Sequence, residues 1–176
     1  MDVLALFAVG ILLAAPQDTV SMHLTLQGLY DEITQGTRAA RTAADIDALF
    51  DAFYTPDWEL IDAAGQRHSR TEIRDQTVQA LTEPVGEMRQ TILKVMPVAD
   101  GATVLLDFTT ITTVTDGEGR YGRLGARHTL AEVTTFRDTL VRQDMSWRLK
   151  SREQIGESKT LVDKLPPDFD SPRLPS

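Results

Sequence analysis

Residues Gly125–Ile155 read GARHTLAEVTTFRDTLVRQDMSWRLKSREQI, two alternating segments that meet at a turn around Asp144–Ser146 and close on Trp147-Arg148-Leu149. Alternation with a period of two marks strands that bury one face. Folding Thr129–Gln143 back on Ser146–Ile155 as an antiparallel hairpin gathers the apolar and acidic residues on one side. That side takes Leu130, Glu132, Thr134, Phe136, Asp138 and Leu140 from one strand, and Trp147, Leu149, Ser151, Glu153 and Ile155 from the other. Pairing Leu140 with Leu149 sets Asp138 opposite Ser151 and Phe136 opposite Glu153, with direct partners about 4.5–5.5 Å apart. Carboxylates on an otherwise apolar, inward sheet surface point to the lining of a cavity.

The same period runs back to Gly86. Glu87–Val98 and Ala102–Thr115 are rich in Val, Ile, Thr and Phe, and the second alternates Ala102, Val104, Leu106 and Phe108 against Thr103, Leu105, Asp107 and Thr109. Asp100-Gly101, Asp116-Gly117-Glu118-Gly119 and Asp144-Met145-Ser146 supply the turns.

Before Gly86 the spacing is helical. Met22, Leu26, Leu29, Tyr30 and Ile33 lay one stripe on a helix over Met22–Ala40. Ile46, Leu49, Phe50 and Phe53 do the same over Ala43–Tyr54, which Pro56 ends. A short strand, Asp57–Asp62, turns at Ala63-Ala64-Gly65. Ser69-Arg70-Thr71-Glu72 then has capping-box spacing and opens a third helix, with Ile73, Thr77, Ala80 and Leu81 inside and Pro84 beyond its end. Three helices followed by a long antiparallel sheet predict an α+β architecture.

At 176 residues the chain suits one domain. A net charge of −8 argues against nucleic acid, which needs a basic stripe. With no cysteine there is no thiolate nucleophile and no Cys-based zinc site. His23, His68 and His128 lack metal-ligand spacing, and no phosphate-binding glycine loop or nucleophilic serine motif occurs, so neither metal nor cofactor is expected. Val3–Ala15 is an apolar run of signal-peptide length, followed by small residues and Gln17-Asp18. Residues 1–17 are read as a signal peptide and 165–176 as a disordered Pro-rich tail, around a domain over 18–164. The expectation is an exported protein with no stable membrane insertion once the signal is removed.

The order of these elements resembles the nuclear-transport-factor-2-like superfamily, and within it the polyketide-cyclase (SnoaL)-like branch with its small exported members of unknown function. The carrying features are the helical pair ending Phe53-Tyr54, the strand Trp58–Asp62 followed by Gly65 and Ser69–Glu72, and Arg137–Arg142 with Trp147-Arg148-Leu149. Asp138 and Trp147 fit the branch's final hairpin. Leu140 stands where an aromatic is usual, and Asp144-Met145 replaces an Asp-Gly turn. The resemblance implies a strongly curved antiparallel sheet wrapped around three helices into a cystatin-like cone, and a homodimer through the sheet's outer face. That face is read as Arg137, Thr139 and Val141 with Arg148, Lys150 and Arg152.

Asp138, His128 and Glu153 are the candidate catalytic residues. Carboxyls in an apolar cone and a histidine titrating near neutrality suit general acid–base work. Tyr30, Trp58, Phe108, Leu130, Glu132, Phe136 and Trp147 are the candidate ligand-binding residues, with His68 at the mouth. Two functions follow. The favoured one is a ligand-binding or interaction domain for a small apolar or amphipathic molecule, which needs only an apolar cavity with a few polar anchors. The alternative is a cofactor-independent isomerase, cyclase, dehydratase or hydrolase. Fold alone does not choose between them.

Overall fold

Helix α1 (Thr19–Ala39) buries Met22, Leu26, Tyr30 and Ile33, the stripe that its three-and-four spacing predicts. The computed structural model describes residues 19–82 and 86–164; the expected signal peptide, the Pro-rich tail and Pro84 lie outside them. Helix α2 (Ala43–Phe53) buries Ile46, Leu49 and Phe50. A capping box that the sequence reading missed starts it: the Thr42 hydroxyl accepts from the Asp45 N–H, and the Asp45 carboxylate accepts from the Thr42 N–H.

Strand β1 (Tyr54–Ile61) follows α2 without a loop. Pro56 is therefore inside a strand rather than beyond a helix end. It stands exposed where the pairing of β1 is interrupted between Tyr54 and Glu59, a place where a missing N–H costs nothing. After the three-residue strand β2 (Arg67–Ser69), helix α3 (Arg70–Ala80) starts on the reciprocal Ser69–Glu72 box that the sequence predicts. Ile73 and Val78 of α3, with Leu81 just after it, pack on the core, while Ala80 is exposed. Ion pairs tie α3 to α2: Arg74 grips both carboxylate oxygens of Asp47, at 2.7 and 2.9 Å, and Arg70 reaches Asp51.

Strands β3 (Glu87–Val98), β4 (Gly101–Thr115), β5 (Arg127–Gln143) and β6 (Ser146–Gln154) form an antiparallel meander with no helix between them. A short strand absent from the sequence reading, β7 (Lys159–Val162), pairs with Leu130–Val133 of β5. The strand order is β2-β1-β6-β5-β4-β3, and β1 runs parallel to β6. The sheet is mixed, not wholly antiparallel, because β1 joins the meander in parallel alongside its last strand, β6.

Register shifts interrupt the ladders of β1 with β6, β3 with β4 and β5 with β6. Such bulges bend and twist the strands they occupy, curving the sheet around the helices. The core between sheet and helices is continuous, from Leu26 and Tyr30 through Ile46 and Phe50 to Val104, Leu106, Leu140 and Leu149. The free edge of β3 is covered by a side chain. The Gln27 amide of α1 donates to the Gln90 carbonyl at 2.8 Å and accepts from the Ile92 N–H at 3.0 Å, the two bonds that a neighbouring strand would make. Between β4 and β5 the buried Asp116 carboxylate accepts from the N–H groups of Glu118, Arg120 and Tyr121 and fixes the connecting loop.

Candidate functional site

The β5–β6 ladder brings Asp138 and Arg152 together. Leu140 pairs with Leu149 as the sequence predicts, but Thr139 pairs with Ser151, so Lys150 is an extra residue on β6. One inserted residue exchanges the two faces of the strand beyond it. Asp138 therefore faces Arg152 instead of Ser151, and Phe136 faces Gln154 instead of Glu153. Arg152 moves from the expected outer face to the interior, where its side chain is 13% exposed. Glu153 moves outward and pairs with Arg137 at 3.1 Å.

Asp138 is fully buried. Arg152 donates to it twice, from Nε to Oδ1 at 2.8 Å and from Nη2 to Oδ2 at 2.7 Å, and Tyr30 Oη donates to Oδ2 at 2.8 Å. Nη2 of Arg152 also reaches Gln90 Oε1 at 2.7 Å. Gln90 Nε2 donates to Thr34 Oγ1, whose hydroxyl donates to the Tyr30 carbonyl. This network joins α1, β3, β5 and β6. Burial, the Asp138 charge and the bond to Asp138 raise the Tyr30 phenol well above its usual range, so it stays a donor. For Arg152, burial acts to lower the pKa, but the Asp138 charge and bonds outweigh it and hold the guanidinium charged.

In front of the network lies a cavity of about 250 Å³. Phe50, Trp58, Leu60, Phe108 and Phe136 supply much of its apolar wall, and Tyr54, Gln90 and Arg152 its polar part. Arg152 lies over the Phe136 ring at 5.0 Å, and the Phe108 and Phe136 rings meet edge to face at 6.4 Å. Asp138 and Tyr30 are behind this wall and do not line it.

Of the candidate ligand residues, Trp58, Phe108 and Phe136 are on the cavity wall. Tyr30 points its hydroxyl at Asp138, not into open space. Leu130 and Glu132 belong to the part of β5 that pairs with β7, past the last cavity residue of the strand, Phe136. There the inward face has run out of covering helix, and Glu132 is exposed. Trp147, at the hairpin end, packs against the core under Arg142 and is not on the wall.

The three candidate catalytic residues do not meet. Ten residues of extended strand, about 33 Å, separate His128 from Asp138. His128 Nδ1 is instead 2.7 Å from Asp163 Oδ2, just past β7. Glu153 is on the opposite face, and both Asp138 oxygens are occupied. His68 is hydrogen-bonded to Asp62 at 3.3 Å beside a separate outer cleft. Sequence reasoning missed Arg152, Gln90 and Tyr54. A polar residue between Met88 and Ile92 at the same parity was the available signal for Gln90, but nothing marked the other two.

Among the described residues no cluster of three or more His, Asp or Glu is arranged to hold a metal, and no helix is long and apolar enough to cross a membrane.

No curated protein matches the chain significantly in sequence. Solved structures do match in fold. A conserved protein from Planctomyces limnophilus is 16% identical with a TM-score of 0.54, over 81% of this chain and 99% of that one. A protein of unknown function from Mycobacterium tuberculosis is 18% identical with a TM-score of 0.50, over 82% and 73%. An NTF-2 like protein of unknown function from Silicibacter pomeroyi is 13% identical with a TM-score of 0.46, over 78% and 98%. At such identities the likeness to the first two is one of fold. A family model, that of the SnoaL-like domain, matches residues 33–144. That span takes in α2, α3 and the sheet through β5, more than half of the sequence, and the chain accordingly belongs to the SnoaL-like family, with the α+β cone of the nuclear-transport-factor-2-like superfamily.

Proposed function

We propose that the chain binds a small, largely apolar molecule inside the cone. The observation that carries this reading is the cavity itself: about 250 Å³ walled by five aromatic side chains around one fixed guanidinium. A cavity of roughly 150 Å³ lined by apolar side chains is enough to hold benzene. The space here suits one ring with substituents or two fused rings. The enzyme alternative built on Asp138, His128 and Glu153 loses its support, because a general base must reach its substrate and these three neither converge nor open on the cavity.

The test is calorimetric titration with indane, a two-ring hydrocarbon. Indane is expected to bind wild type and to lose at least tenfold in affinity to Thr77→Phe, which fills the cavity from α3, while the melting temperature of that variant stays within a few degrees. Equal binding to both proteins, or none to wild type, overturns the reading.

Export and self-association complete the proposal and rest on the sequence. The apolar run Val3–Ala15 supports removal of a signal peptide, which the intact mass of the protein from its native host checks. The outer sheet face supports a homodimer, although without Arg152 it is less basic than expected. Sedimentation at micromolar concentration checks it.

A further inference from the structure

Two polar groups on the cavity wall are left unused by the fold without being sealed in. Nε and Nη2 of Arg152 are committed to Asp138 and Gln90, but Nη1 has no hydrogen-bond partner among the described residues and is not sealed in by packing. Tyr54 is held by its ring, stacked on Phe50 at 4.7 Å and edge-on to Trp58 at 4.9 Å. Its hydroxyl likewise has no partner among the described residues and is not sealed in. Of the other polar groups of the wall, the Trp58 indole Nε1 also has no partner but is sealed in by packing, and the rest are spent. Thr34, Thr37 and Thr77 donate to the carbonyls of Tyr30, Ile33 and Ile73, and Gln90 is engaged at both ends of its amide.

Both unused groups are donors. A guanidinium N–H can only donate. Burial raises the Tyr54 phenol above its usual range, so it keeps its proton at neutral pH. Arg152 and Tyr54 line the same aromatic-walled space and are two of its polar residues. An apolar space with two donors to spare selects a ring compound that carries an acceptor.

The sign of the guest's charge follows from Asp138. Its carboxylate already neutralises Arg152, so the buried pair carries no net charge. A carboxylate guest would add an uncompensated buried anion, which is costly. A neutral carbonyl oxygen takes the two hydrogen bonds without that penalty.

Resting on the cavity reading above, we infer that the ligand is a neutral ring compound bearing a carbonyl group, a ketone, ester or lactone, whose oxygen is received by Arg152 Nη1 with Tyr54 Oη as the second donor. Trp58, Phe108 and Phe136 enclose its ring.

Three probes of matched shape test this by titration: indane, 1-indanone and indane-1-carboxylate. The ketone is expected to bind about tenfold or more tighter than the hydrocarbon, as a hydrogen bond to a charged donor warrants, and tighter than the carboxylate. Tyr54→Phe, which removes only the hydroxyl, is expected to weaken 1-indanone several-fold more than it weakens indane. Arg152→Lys keeps a charge for Asp138 and is expected to shrink the preference for the ketone. Equal affinity for indane and 1-indanone, or 1-indanone binding unmoved by Tyr54→Phe, overturns the inference and leaves the cavity reading intact. Tightest binding of the carboxylate overturns the neutral class. Failure of indane to bind wild type removes the cavity reading and this inference with it.

Discussion

Arg152 meets Asp138 across the β5–β6 ladder through two near-parallel hydrogen bonds of 2.8 and 2.7 Å, and the pair exists because Lys150 is an extra residue in β6. The bulge turns an arginine expected on the outer face into a donor on the cavity wall and an inward aspartate into its counter-ion. What the cone offers a ligand is therefore a donor, not a base.

Removing one partner of this pair strands the other. Asp138→Ala leaves the Arg152 guanidinium and the Tyr30 hydroxyl without their acceptor, and is expected to cost about 3–5 kcal/mol in urea unfolding. Replacing both charges, Asp138→Leu with Arg152→Met, is expected to recover most of that loss, because two desolvated charges are exchanged for apolar packing. A loss below about 1 kcal/mol for Asp138→Ala would contradict the buried-pair account.

Much of the fold was legible because it is written in periodicity. The stripe from Met22 to Ile33 and the Ser69–Glu72 box lie on helices as the sequence predicts, and β3 has the predicted bounds. The site was less legible, since it depends on parity after a bulge. No Gly or Pro marks Lys150, and regular alternation put Glu153 in and Arg152 out. β7 is four residues without a buried apolar face, so no alternation betrays it. The helical spacing carries α2 to Tyr54, whereas β1 begins there and turns its ring to the cavity.

Gln27 stands in for a strand at the open edge of β3. Gln27→Ala removes both bonds and leaves the Gln90 carbonyl and Ile92 N–H open to water or to another chain. The expected loss is about 1–2 kcal/mol of stability, with faster self-association on gentle heating. Light scattering and urea unfolding read the two effects, and a variant as stable and as monodisperse as wild type counts against the edge-cover role.

The hairpin turn between β5 and β6 is built from Asp144 and Met145, at φ 48° and 67°. Two consecutive positive φ values in a two-residue loop are those of a type I′ turn, where Gly is favoured at the second position. Met145 is 87% exposed, so its side chain contributes no packing to offset the strain. Met145→Gly is expected to gain about 0.5–1 kcal/mol, the relieved left-handed strain less the greater chain entropy of glycine. Calorimetry should show a melting temperature higher by about 1–4 °C. A lower value would mean that the exposed methionine makes a contact worth more than the strain.

Asp163 clasps the end of β7 to β5, and its titration should report the clasp. The His128 ring and then the Thr129 N–H, at 2.7 and 3.0 Å, hold its carboxyl below the usual aspartate range. A carboxyl depressed in the folded state adds stability above its unfolded pKa of about 3.9, and that contribution fades as pH falls through the lower folded value. The Thr129 amide proton, hydrogen-bonded to the ionised group, is expected to keep its downfield shift to below pH 4 and then to lose it. In Asp163→Asn the acid-dependent movement of that resonance should vanish, and the β7 amides should exchange faster at neutral pH. A Thr129 titration with a midpoint at or above about 4 would place Asp163 free in solution rather than in the clasp.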